Sequence, residues 1–259
     1  MLSPSRRKSP LHKYSRDTGF TLIEIAVTLF ILTLVLGSLL VPLATQVEER
    51  QIREADRAMT EMLEALVGFA IAQTTPRLPC PDRTSGGAGT ANDTANDGIE
   101  DYVSGGACQV TEGNIPWATL GVNAADPWGN RYRYLVTSGF ATQASPTMSL
   151  STSGTIKVCA SHPTSSTCGG TNYVADNVPA AIISHGRNGY GAMNGSSNTQ
   201  ISTTGASNHE IDNTPSRTYS SVLVSKTRSG VSGEEFDDVI VWLSPNVLFN
   251  RLVAANKLP

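Results

Sequence analysis

Charge is scarce in this 259-residue chain. Asp, Glu, Lys and Arg make up 16% of it, and nineteen basic side chains against twenty-two acidic ones leave a net charge of −3. A broad cationic surface for gripping phosphate backbones is therefore excluded. Glycine (23) and proline (14) stay near average usage, which excludes collagen and bulk disorder. Signatures of catalysis are missing too: there is no G-x-S-x-G, H-E-x-x-H, P-loop or G-x-G-x-x-G. The four histidines, His12, His162, His185 and His209, stand apart from one another, the last three in Gly/Ser/Pro/Asn-rich stretches. They read as surface or turn residues rather than bases, and the chain reads as no enzyme.

What is present is sharply uneven. Residues 1–19 carry Arg6, Arg7, Lys8, Lys13 and Arg16 against Asp17 alone, and the remaining residues sit at −7. Phe20 to Ala44 then form an apolar run of 25 residues with one charge, Glu24. As a helix it would measure roughly 37 Å, enough to cross a hydrocarbon layer of ~30 Å. The basic flank stays in the cytoplasm by the positive-inside rule, so everything beyond the run is expected on the far side of the membrane. A cleaved secretory signal has a shorter apolar region followed promptly by an A-x-A-like site, and neither feature occurs here.

Glu24 is the anomaly. A carboxylate within an apolar helix costs on the order of 2.5–3.5 kcal/mol on insertion scales and calls for a partner. One reading places it close enough to the cytoplasmic end to reach interfacial water. The other has the chain cut before Phe20, which frees an α-amine a few residues away to balance the charge, in the same chain or a neighbour.

Gly19-Phe20-Thr21-Leu22-Ile23-Glu24 behind a short basic leader resembles the processing site of type IV pilins and type II secretion pseudopilins. The resemblance implies cleavage between Gly19 and Phe20 by an inner-membrane prepilin peptidase and N-methylation of Phe20. It gives Glu24 a role in registering subunits within a filament. The partners it implies are that peptidase, other pilin or pseudopilin subunits met through the N-terminal helix, and the inner membrane before assembly. Pro42 lies near where many pilins bend, and its missing N–H should kink or open the helix.

From Gln46 to about Gln73 the helical period continues with a changed composition. Ala55, Met59, Met62, Leu63, Leu66 and Ala70 form one apolar stripe. Thr74, Thr75, Pro76 and Pro79 end the helix. Beyond it, short apolar runs separated by Gly, Asn, Ser and Pro read as strands and turns. Asp126-Pro127-Trp128-Gly129-Asn130 is a turn, followed by a strand with Tyr132, Tyr134 and Val136 on one face. Residues 178–184 and 236–243 read as further strands, the second covered on both faces. Both the D-P-W-G-N element and the Ser184-His185-Gly186-Arg187-Asn188-Gly189 turn resemble those of pseudopilins. The expected fold is α+β: a long N-terminal α-helix, half transmembrane and half amphipathic, packed on an antiparallel β-sheet. The expected segments are a leader (1–19), a transmembrane or filament-core helix (20–44), an amphipathic half (45–75) and an exported β-rich domain (76–259). The resemblance implies a bacterial inner-membrane localisation as a single-pass protein with a periplasmic C-terminal domain, or a periplasmic or extracellular filament after assembly.

Cys80, Cys108, Cys159 and Cys168 all fall on the exported side, and four cysteines allow three pairings. The local one, Cys80–Cys108 with Cys159–Cys168, is preferred because turn-rich sequence bridges each pair. The separations do not suit a zinc site. No cofactor is called for. The rival reading is structural Ca2+, either in the loop with Asp93, Asp97, Glu100 and Asp101 or, by resemblance, around Asn188, Glu210 and Asp212. An aromatic stripe beside Arg131 and Arg133 would suit single-stranded nucleic acid. The acidic domain argues against it, so no nucleic acid is expected. The domain's size points to a minor or tip-proximal subunit. Two other readings stay open: an adhesive or DNA-binding minor pilin, and an uncleaved anchor protein with a periplasmic activity of its own.

Overall fold

The computed structural model describes residues 19–86, 94–143, 148–170 and 172–258, with only the backbone described at 38–44. Leader residues 1–18 and Asp93 lie outside the described residues. The chain divides into two compact units, Met1–Glu48 and Glu49–Pro259. Helix α1 (Leu22–Ala72) continues past Pro42 as a single element and stops ahead of Thr74-Thr75-Pro76. Among the described residues no helix is long and apolar enough to cross a membrane, and side chains 38–44 of the expected span lie outside them.

In the second unit the elements run β1 (Glu112–Asn114), α2 (Trp117–Leu120), β2 (Arg133–Val136), α3 (Ser138–Ala141), β3 (Ile156–Cys159), β4 (Tyr173–Val178) and β5 (Ala180–Ser184). After these come α4 (Asn208–Ile211), β6 (Val222–Val224), β7 (Val239–Leu243) and α5 (Pro245–Ala254). A four-stranded antiparallel sheet has the order β1-β2-β5-β7. Side chains alternate across a strand, so β2, β5 and β7 each feed two cores. Tyr134, Val136, Ala180, Ile182 and Leu243 face α1, where they bury Met59, Met62, Leu66 and Ala70 of the amphipathic stripe. Leu135, Ala181, Ile183 and Ile240 face the other way. There they meet Ile156, Val158, Val178 and Leu223 of a second sheet, β4-β3-β6.

That second sheet departs from the simple helix-on-sheet expectation, and β3 pairs parallel to β6, not antiparallel. It explains why β5 and β7 are apolar on both parities: a strand roofed on both faces has no solvent side. Each such Leu, Ile or Met removed from water contributes about 1.5–3 kcal/mol. The chain closes with α5, which buries Leu248 and Leu252 in the α1-side core and sets Phe249 against Phe140 with ring centroids 5.9 Å apart. Disulfides join Cys80 to Cys108 and Cys159 to Cys168, the local pairing of the three possible.

Candidate functional site

The start of α1 is built by Thr21. Its side-chain oxygen accepts from the Glu24 amide at 3.3 Å and its carbonyl from the same amide at 3.1 Å, satisfying a donor that a helix start otherwise leaves orphaned. Thr21-x-x-Glu24 is the capping-box spacing, and it puts Glu24 in the first turn, at the positive end of the helix dipole. Further along, Thr28 and Thr33 turn their hydroxyls back to the carbonyls of Ile25 (2.9 Å) and Phe30 (2.8 Å). Even the polar side chains of this stretch therefore present little unmet hydrogen bonding to their surroundings. Phe20 is 76% exposed and Leu22 87%, and large apolar side chains remain exposed through Leu36. Exposed apolar patches of that extent are the kind that mark protein- or membrane-contacting surfaces.

In the second unit the described acids of the 93–101 loop are held by neighbouring donors. Arg77 grips Glu100 through two parallel bonds of 2.7 Å, and the Cys80 amide donates to the same carboxylate. Asp101 Oδ2 accepts from the Arg83 amide at 2.8 Å. Asp82 accepts from the amides of Asn96 and Gly98 and from the Asn114 side chain, and burial pushes its carboxyl up to about 7. Gly98 sits at φ +80° with its α-carbon against the Trp117 ring, where a Cβ would have no room. The loop weighed as a rival Ca2+ site thus spends Glu100 and Asp101 on pinning itself to residues 77–83. Of its other acids, Asp97 accepts from the Ile99 amide and Asp93 lies outside the described residues.

The second Ca2+ candidate is also divided. The Asn188 side chain donates to Glu210 Oε1 and its backbone amide to Asp237 Oδ2 at 3.0 Å, while Asp212 turns to His162. Among the described residues, Glu210 Oε2 and Asp237 Oδ1 are buried without a hydrogen-bond partner. Burial, together with the charges of Asp238 and Asp237, raises Glu210 to about 7, so a proton satisfies part of this need. Among the described residues no three His, Cys, Asp or Glu side chains gather in a metal-holding arrangement.

His185 is no surface residue. It is fully buried, its Nε2 accepts from Arg133 Nε at 3.1 Å, and burial and that guanidinium lower it to about 3. It stays neutral and holds the interior together. Tyr132, Tyr134 and Arg133 are likewise buried, so the stripe considered for nucleic acid is core; Arg131 stacks on Trp117 instead, 4.1 Å from the ring centroid. The D-P-W-G-N turn is fixed by Asp126, which accepts from the amides of Trp128 and Asn130 and from the Ser184 hydroxyl.

Two features escaped the sequence reading. Thr21 as a cap was available in its spacing to Glu24. The meeting of His162 with His209 was not, because 47 residues separate them in a chain whose loops carry no pattern.

No curated protein and no solved structure matches the chain. Residues 14–40 match the family model of the prokaryotic N-terminal methylation motif, a stretch that contains Gly19, Phe20, Thr21 and Glu24. The chain carries the hallmark of type IV pilin and pseudopilin prepilin-type proteins.

Proposed function

We propose that the protein is a structural subunit, a minor pilin or pseudopilin, of a type IV pilus or type II secretion pseudopilus. It is made as a precursor with leader 1–19, cut between Gly19 and Phe20 by prepilin peptidase, and methylated on the new Phe20 amine. Segment 20–44 anchors it in the inner membrane with the C-terminal domain in the periplasm, until the same segment packs among other subunits in the filament. There Glu24 meets an N-terminal amine, its own or a neighbour's. Segment 45–75 attaches this shaft to the exported domain, 76–259.

The observation that carries the reading is the methylation motif at 14–40, whose described part runs into helix α1 with its large apolar side chains exposed from Phe20 to Leu36. Packing many such helices together removes that surface from water and supplies a low-dielectric setting in which Glu24 and an ammonium attract strongly. The minor-subunit assignment follows from the size of the exported domain. Co-expression with a prepilin peptidase tests the proposal. The unaltered chain should shorten by its leader and a Gly19→Val chain should stay full length; an unaltered chain that also stays full length contradicts it.

A further inference from the structure

A cleft of about 570 Å³, within the size range of small-molecule sites, opens where β3, β4 and the segment leading into β6 meet. One side of it is shaped by the backbone. Between the pairs Ile156–Val178 and Val158–Ala175, β4 holds one residue more than β3, which is a bulge. Within the bulge Asn177 stands at φ 55°, a conformation that Asn tolerates better than most residues with a side chain. Gly154 passes so close that a Cβ there would collide with the Asn177 carbonyl. Bulges re-aim side chains, here those of Asp176 and Asn177, both exposed at the cleft.

The other side is held in place. Tyr219 packs on the Cys159–Cys168 disulfide and Val222, and its hydroxyl donates to the Thr164 carbonyl at 3.0 Å. Lys157 lies between Ile156 and Val158, which are buried between the two sheets, so alternation turns it outward. Its ammonium donates to the Ser166 carbonyl at 3.3 Å. Groups fixed in this way need little further ordering when a ligand arrives.

Polar capacity remains to be used. Asp176 spends one oxygen on the Asn177 amide at 2.8 Å. Among the described residues its other oxygen, the Asn177 side-chain amide and the hydroxyls of Thr218 and Ser221 have no hydrogen-bond partner. One cation, Lys157, is matched by one anion, Asp176, so the lining favours neither sign of charge. An apolar ligand would cover these groups without pairing them, which is costly. A neutral ring compound with adjacent hydroxyls suits them: its hydroxyls donate to the carboxylate and accept from the carboxamide, and its C–H face lies against the aromatic ring. We propose that this cleft is a binding site for a neutral saccharide, with Asp176 and Asn177 holding its hydroxyls and Tyr219 its apolar face. The cleft belongs wholly to the second unit, so binding there does not depend on cleavage at Gly19.

The test is saturation-transfer-difference NMR of the full chain in a detergent that carries no sugar. Glucose, galactose and N-acetylglucosamine are the probes, each titrated to about 10 mM. A saturable signal from at least one of them is expected, with its apparent Kd raised about tenfold or more by Asp176→Ala and by Tyr219→Ala separately. Glucosamine and N-acetylneuraminate, charged in opposite senses, should bind more weakly than the best neutral sugar. Asp176→Ala alters an exposed side chain and leaves folding intact, which far-ultraviolet circular dichroism verifies, so its result holds even where Tyr219→Ala loosens the disulfide loop. Asn177→Gly removes the carboxamide and keeps the positive φ. Absence of a saturable signal from every neutral probe overturns the proposal. So does an affinity unchanged in the Asp176→Ala/Asn177→Gly double variant, or tighter binding of either charged sugar.

Discussion

The Glu24 amide is held by Thr21, through the side-chain oxygen at 3.3 Å and the carbonyl at 3.1 Å, so the one charged residue of the apolar run belongs to the first turn of α1. A carboxylate placed there gains from the helix dipole, by about 0.3–1 kcal/mol at an exposed site. It lies four residues from the amine that cleavage before Phe20 would create. With cleavage there, two stabilising partners for one costly charge would lie within five residues.

Glu24→Leu should leave the folded domain untouched and abolish incorporation into filaments. Glu24 is exposed, so thermal unfolding of the variant should superimpose on that of the unaltered chain. The fraction recovered in sheared filaments should fall to background. Full incorporation of Glu24→Leu would show that its charge plays no part in assembly.

Arg77 and Glu100 are both buried, and breaking the pair strands one charge. Arg77→Ala should cost about 3–5 kcal/mol in urea unfolding, whereas the double change Arg77→Met/Glu100→Leu should recover much of the loss. A loss under about 1 kcal/mol for the single variant would mean that the carboxylate escapes to water.

Met62 carries the amphipathic half of α1 into the sheet and is fully buried. Met62→Ala should cost about 2–5 kcal/mol. Glu61→Ala, one position away on the exposed face, should change stability by about 0.5 kcal/mol or less. Equal effects at the two positions would contradict the stripe.

Burial raises both Asp238 and Glu210 to about 7. Between their ordinary values near 4 and about 7 the folded state holds protons that the unfolded state has released, so these groups make stability fall as pH rises through that window. His185, lowered to about 3, works in the opposite sense between about 3 and 6.5. The difference between two chains isolates one group. Glu210→Gln should flatten the decline between pH 5 and 7 while keeping the acceptor for Asn188. Parallel curves for the two chains would place the Glu210 titration elsewhere.

Legibility in the sequence followed the strength of local constraint. The stripe from Ala55 to Ala70 was readable because a helix repeats its face every three or four residues, and burial of Met59, Met62, Leu66 and Ala70 follows that repeat. The strands around Tyr134, Ile182 and Val241 were readable from apolar runs bounded by turn residues. The second sheet was not. β4 reads Tyr-Val-Ala-Asp-Asn-Val and is largely exposed, and β6 is three residues long, so neither carries a pattern that pairing would demand. The processing motif was legible because its contacts lie within six residues. The His162–His209 meeting depends on the path of two long loops, which no local rule encodes.

Intact-mass analysis of the untagged chain, purified from its native membrane or filaments, bears most directly on all of this. A mature chain that begins at Phe20 and carries one added methyl group is expected. A chain that still holds residues 1–19 contradicts processing at Gly19, and with it the pairing of Glu24 to a newly made amine.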